Sequence, residues 1–194
     1  MDAFINKRGQ TSIEFLFLFL MMLIAINTII YPRMLQTQQS VVEIHRLGQA
    51  RLAVKQIANA ISEVAASTGP SKQTIWIFLD SNIRIFCDKD KALIKFKVPM
   101  KLDYAFSIIE GTETIGSCNT QICEGAERIY LPTALKLNCD NFKLCDTSAN
   151  PPCNGEGDHI DGSIHKKAKI TVIKHFLSGE ALIQVNADAA TPGG

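Results

Sequence analysis

The sequence predicts an α+β chain: one long N-terminal α-helix, hydrophobic and then amphipathic, followed by a mainly antiparallel β head domain stabilised by disulfides. Three observations predict it. Residues Phe15 to Tyr31 carry no charge, and Phe15 to Ile26 are all apolar. From Ser40 to Ala66 the apolar residues recur at Ile44, Leu47, Val54, Ile57, Ile61 and Val64, with the three-, four- and seven-residue spacings of a helix face. Beyond Gln73 the pattern changes to short alternating or apolar runs separated by turn residues, and all six cysteines fall in that second half.

The apolar segment comes first. A helix rises about 1.5 Å per residue and needs roughly 20 residues to cross a bilayer core, so this segment is slightly short but workable. It is apolar all round, which suits lipid or a helical core better than a domain surface. Pro32 follows it. Proline removes a helix hydrogen bond, yet the amphipathic pattern downstream argues for a kink rather than an end. Glu43, His45, Arg46, Arg51, Lys55 and Glu63 occupy the other faces. The stretch "STGP" supplies the stop, with Gly69 expected as the C-terminal cap and Pro70 beyond it. A helix continuous from Gln10 to about Ser67 would be roughly 85 Å long.

The head reads as six to eight strands. "TIWIFLD" looks like a buried strand, with Trp76 in the core. "NIRIFCD" and "ALIKFKV" form a hairpin across "KDK"; "LDYAFSII", "ERIYLPT" and "ALKLNC" are further strands; "KAKITVIKHF" and "ALIQVNA" form a C-terminal hairpin. The loop "CDTSANPPCNGEGDHIDG" is long and rich in Pro, Gly, Asn and Asp. The tail "ATPGG" is expected to fray.

The chemistry-bearing residues exclude several classes. A net charge of +1 with no basic stripe gives no footprint for nucleic acid. Cys87, Cys118, Cys123, Cys139, Cys145 and Cys153 are an even set, as a disulfide framework outside the cell requires, with fifteen pairings open. Zinc is the competing reading, with His159 and His165 nearby, but zinc ribbons favour cysteine pairs two residues apart. No metal site is expected. Asn154, Glu156, Asp158 and Asp161 resemble part of a calcium loop. However, His159 stands where the turn glycine belongs and His165 where the bidentate glutamate belongs. His45 and His175 are dispersed. No nucleophile–base constellation, phosphate loop or cofactor motif is present, so neither an enzyme nor a cofactor is expected. No Asn-x-Ser/Thr sequon occurs, while O-linked sugars stay open.

The N-terminal pattern has three readings. A cleaved secretory signal needs a small-x-small site after the apolar run, and "INTIIYPRML" has none. A plain signal anchor would place Lys7 and Arg8 on the cytoplasmic side. The third reading uses Lys7, Arg8, Gly9, Gln10, Ser12, Glu14 and Phe15 together. In that order they resemble the class III signal peptide of archaeal type IV pilins and pilin-like proteins, a basic leader ending before Gln-x-Ser-x-Glu-Phe. The matched motif spans about ten residues plus the apolar run.

The resemblance implies cleavage by a prepilin peptidase between Gly9 and Gln10, with the apolar segment retained. It divides the chain into a leader (1–9), a membrane or filament-core helix (10–31), its amphipathic continuation (32–69) and an extracellular head (70–194). It implies a structural subunit of a surface filament for adhesion or surface interaction. The subunit would reside in the cell membrane before assembly and in an extracellular pilus after it. Its partners would be copies of itself or other pilins, the peptidase, and the pilus assembly platform with its ATPase. Glu14 and Phe15 become assembly residues, Glu14 facing a new α-amino group with a reference pKa of about 7.7–8.0. Cyclisation of Gln10 to pyroglutamate would remove that charge. The alternative is a membrane-anchored extracellular β domain that binds a ligand or surface without polymerising.

Overall fold

A computed structural model describes residues 6–80, 82–101, 106–110, 113–119, 121–144, 159–162, 166–177 and 180–189. The chain forms two units, Met1–Val42 and Glu43–Gly194. The backbone is helical from the first to the second: α1 is Asn6–Ala25, a π turn covers Ile26–Ile30, and α2 is Tyr31–Ala66. Among the described residues ten strands follow: β1 Ser71–Phe78, β2 Arg84–Asp88, β3 Leu93–Pro99, β4 Phe106–Glu110, β5 Glu113–Cys118, β6 Ile122–Arg128, β7 Leu135–Asn141, β8 His159–Asp161, β9 Lys167–Leu177 and β10 Glu180–Ala189.

In the first unit the helix runs through Pro32 without ending. The irregularity lies one turn earlier, where Tyr31 N–H bonds Ile26 O in the wider i to i+5 pattern. Pro32 has no N–H to offer the carbonyl four residues back, so the regular ladder must give somewhere in this turn. The two polar residues here bond their own helix. Asn27 Nδ2 donates to Leu23 O at 3.0 Å, and Thr28 Oγ1 donates to Ile24 O at 2.7 Å. Each side chain thereby spends a donor on its own helix, which lowers the cost of placing it in an apolar surrounding.

The second unit is built on two sheets. One has the order β1–β9–β10–β7, the other β4–β5–β6–β3–β2–β8. Among the described strands the ladders are antiparallel except β10 with β7, and an isolated parallel bridge joins Leu144 to Ile160 of β8. Alternation sets the inner faces: Ile94, Phe96 and Val98 of β3 are buried, as are Ile183, Val185 and Ala187 of β10. The buried face of α2 joins the same cluster through Ala50, Ala53, Val54, Ile57, Ala58, Ala60, Ile61, Val64 and Ala65. Each fully buried Ile or Val contributes about 1.5–3 kcal/mol relative to exposure.

Two close approaches shape the six-stranded sheet. Gly125 pairs with Phe96 across β6–β3 and with Gly116 across β6–β5. A Cβ on Gly125 would strike the Phe96 ring, so glycine leaves room for that ring in the core. The β2–β3 hairpin turns at Ala92 with φ of 50°, a left-handed conformation that costs a non-glycine residue about 1–2 kcal/mol. Asp88 Oδ1 supports the turn by accepting from Lys91 N at 3.1 Å.

Several expectations need correction. Ile44, assigned to the core face, is 61% exposed, and the alanines at 50, 53, 58, 60 and 65 supply much of that face instead. "TIWIFLD" is an edge strand of alternating burial, and Trp76 is 46% exposed. "ERIYLPT" contributes only Glu127 and Arg128 to a strand, and Tyr130 is exposed. Strands β5 and β8 and most of β6 were not anticipated.

Gly69 does not adopt the left-handed φ of a glycine cap. The helix end is closed by side chains. Ser67 Oγ donates to Val64 O at 2.7 Å, and the buried Lys174 Nζ donates to Ala65 O at 2.9 Å and to Ser67 O. A cation there also complements the negative end of the helix dipole.

Candidate assembly helix and cysteine framework

Every described side chain from Ile13 to Val42 is exposed. These include Phe15, Leu16, Phe17, Leu18, Phe19 and Leu20 in succession. So much apolar surface requires a covering of lipid or protein in use. The helical stretch Ile13–Ala66 contains a segment long and apolar enough to cross a membrane. Glu14 and Phe15 lie side by side at the start of that apolar surface, both exposed. Gly9 and Gln10 lie in the first turns of α1.

The exposed apolar character continues into the second unit. Ile44 and Leu52 are exposed, eight residues apart on one helix face, with Gly48 midway between them. A Cβ at Gly48 would meet open space, so the backbone is bare there. This stripe lies on the side of α2 turned away from the buried alanines. Sequence periodicity had marked an apolar face without telling which apolar residues meet the head and which do not.

Four of the six cysteines lie among the described residues, and they form two disulfides. Cys87–Cys139 joins β2 of the six-stranded sheet to β7 of the four-stranded sheet, with a Cα separation of 6.1 Å. Cys118–Cys123 crosses the β5–β6 hairpin, where the two residues are direct register partners 4.0 Å apart at Cα. Cys145 and Cys153 lie outside the described residues, as do Asn154, Glu156, Asp158 and His165. Among the described residues no group of three or more His, Cys, Asp or Glu side chains converges on a possible metal position.

The described histidines are apart. His45 bonds Gln49 at 3.1 Å on the exposed helix, His159 is buried against Phe86 with ring centroids 5.2 Å apart, and His175 lies on β9. Ion pairs dress the outer face of the six-stranded sheet. Lys97 Nζ lies 3.1 Å from Glu124 Oε1 across β3–β6, and Arg84 Nε lies 3.5 Å from Asp161 Oδ2 across β2–β8. Asp88 and Lys95 pair at 2.5 Å, and that hydrogen bond, against the opposing effect of burial, holds the Asp88 carboxyl below its ordinary value.

At the other end of the head, Arg46 Nε meets Asp80 Oδ2 at 2.9 Å, and Glu43 Oε1 accepts from Lys101 N at 2.8 Å. These two contacts pin α2 to the loops that follow β1 and β3. Comparison of the chain with family models, with curated proteins and with solved structures finds no match.

Proposed function

We infer that the chain is a subunit of an archaeal type IV pilus-like surface filament, cut between Gly9 and Gln10 by a prepilin peptidase and assembled through its apolar helix. The observation that carries this reading is the pairing of a wholly exposed apolar helix with a disulfide-bonded β head. In the membrane, lipid covers Phe15–Ile30. In the filament, copies of the same helix, or of related subunits, cover it. Leaving lipid for a helical core gives no gain from removing apolar area from water, so packing and the assembly platform with its ATPase must drive the transfer. The exposed Ile44–Gly48–Leu52 stripe supports the reading because it leaves α2 a bare, apolar face within the second unit as well.

Glu14 has a register role in this reading. After cleavage it lies one helical turn from the new α-amino group. A carboxylate buried among apolar helices without a partner costs several kcal/mol, so a misplaced subunit is penalised. The pair acts on alignment more than on net stability.

The test is cellular and direct. Filaments are imaged and their subunit is sequenced from its N-terminus. The expected sequence begins at Gln10, or is blocked by pyroglutamate with the matching intact mass. Glu14→Ala is expected to leave the subunit processed and in the membrane but to abolish filaments. A mature subunit that keeps residues 1–9 would end the processing part. Wild-type protein that stays in the membrane without filaments, with function indifferent to Glu14→Ala, would favour the non-polymerising anchored β domain.

A further inference from the structure

Strand β1 ends the four-stranded sheet, with β9 on one side of it. Its ladder with β9 runs unbroken from Ser71–Lys174 to Phe78–Lys167. Leu79 N–H donates to Lys166 O at 2.8 Å and extends that ladder by one hydrogen-bonded pair. In an antiparallel ladder such pairs alternate with non-bonded ones. Ser71, Gln73, Ile75 and Ile77 therefore spend their backbone groups on β9, while Lys72, Thr74, Trp76 and Phe78 turn theirs to the open edge. Those outward backbone groups have no hydrogen-bond partner among the described residues. Sheet edges are usually blunted by shortness, bulges, proline or charge. Among the described residues the other edges show such devices. Strand β8 has three residues, the β4–β5 ladder is broken between Ile108 and Ile109, and β7 meets β10 across a bulge between Gln184 and Asn186. Strand β1 has eight residues, no proline and no bulge, and Lys72 is its one charged residue.

We propose that β1 is a docking edge for an extended acidic segment of a partner polypeptide, which adds to the sheet as a further strand. A polypeptide backbone repeats its donors and acceptors at the spacing of the outward groups. Side chains set the sequence it must carry. Trp76 and Phe78 lie on the outer face, opposite to Gln73 and Ile75. Lys72 shares that face. So does Lys167, whose Nζ lies 4.6 Å from the centre of the Trp76 ring and 5.7 Å from that of Phe78. Lys169 is the register partner of Trp76. On β10 the same face carries Asp188, opposite Lys169, and Glu180, which is paired with Lys136. The charge beside β1 is therefore positive, and every second residue of the incoming strand is acidic to meet it. The residues between them enter a shallow cleft of about 340 Å³ between β1 and α2, lined by Gln56, Asn59, Glu63, Gln73 and Ile75 among others. Gln73 Oε1 is buried there with no donor among the described residues. Glu63 Oε2, which accepts from Gln73 Nε2 at 2.8 Å, disfavours acids on this side and leaves it to small hydroxyl side chains. The edge belongs to the head alone and stands or falls separately from the filament reading.

Full-length protein in detergent is titrated with a labelled octapeptide of alternating Thr and Glu. The same peptide with Lys for Glu tests the charge, and a sulfated oligosaccharide serves as a polyanion without a peptide backbone. The expected result is a saturable rise in anisotropy with the Glu peptide, at a midpoint about tenfold or more below that of the Lys peptide. Hydrogen exchange reads the edge itself. Amides of Thr74, Trp76 and Phe78 should exchange fast in the free protein and slow when the Glu peptide binds, while those of Gln73 and Ile75 are protected throughout. Thr74→Pro removes one outward N–H and no ladder bond, so it should weaken binding about tenfold or more with an unchanged thermal transition. Lys72→Glu combined with Lys169→Glu should weaken it by a similar factor and leaves the backbone edge intact.

A Glu peptide that does not bind would overturn the proposal. So would binding that leaves the Thr74, Trp76 and Phe78 amides unprotected, or a Lys peptide that binds equally well. Binding of the sulfated oligosaccharide alone would assign the lysines to a polyanion and remove the strand. Glu14→Ala protein should bind the Glu peptide as the parent does, which separates a failed edge from a failed filament.

Discussion

Removing the Cys87–Cys139 bond should destabilise the head more than any other covalent change among the described residues. The bond closes a loop across a sequence separation of 52. In the chain-entropy description such a loop restrains the unfolded chain by about 4 kcal/mol at 25 °C. Cys118–Cys123 has a separation of only 5, and the same relation gives about 2 kcal/mol. The two bonds also differ in what they join. The first ties one sheet to the other, whereas the second tightens a hairpin that its own ladder already holds. Cys87→Ala/Cys139→Ala and Cys118→Ala/Cys123→Ala variants of the full chain would be unfolded by heat and by guanidinium, with Trp76 emission as the probe. For a domain of this size, about 4 kcal/mol corresponds to a fall in Tm of roughly 8–16 °C. The shorter bridge should cost about half of that. If the hairpin variant proves the less stable of the two, loop closure does not govern these bridges and the reasoning fails.

Three further outcomes follow from named contacts. Lys174→Met keeps the stem but strips two carbonyls at the end of α2 of their donor. It should cost about 1–3 kcal/mol in denaturant unfolding and loosen hydrogen-exchange protection in the last turn before Ala66. Gly125→Ala should cost about 1–3 kcal/mol, because the added methyl meets the Phe96 ring in a packed sheet. A Phe96→Leu background should absorb part of that cost, and strict additivity of the two would refute the contact. The Asp88 carboxyl is held below its ordinary value, chiefly by its hydrogen bond from Lys95. Its contribution is therefore complete above a pH of about 4 and is lost as pH falls through the lowered folded value. Asp88→Asn should flatten that acid limb, while costing under about 1 kcal/mol near neutrality because the pair is partly solvated.

How far the sequence could be read depended on which physical signal each element carried. The apolar run and the helical spacing through Val64 are long-range patterns, and the helix they imply ends one residue from where it was expected. A strand with regular alternation, such as β3, was equally legible. The β5–β6 hairpin was not. Its strands contain Gly116 and Gly125, and glycine gives no propensity signal for the strand it serves. Trp76 was misplaced because a large aromatic residue usually implies burial, whereas the pleat of an edge strand turned it outward. Gly69 was misread as a cap because a lysine more than a hundred residues away does that work.

The sequence by itself determined the long helix, the change to β structure after it, the apolar surface from Phe15 to Tyr31 and the placing of all cysteines in the head, because each is a pattern along the chain. Tertiary structure alone decided which face of α2 the head covers, which cysteines pair at 87–139 and 118–123, and which lysine closes the end of α2. Those are relations across space, and they depend on sheet order, strand pleat and the room left by small residues, none of which is local to a stretch of sequence.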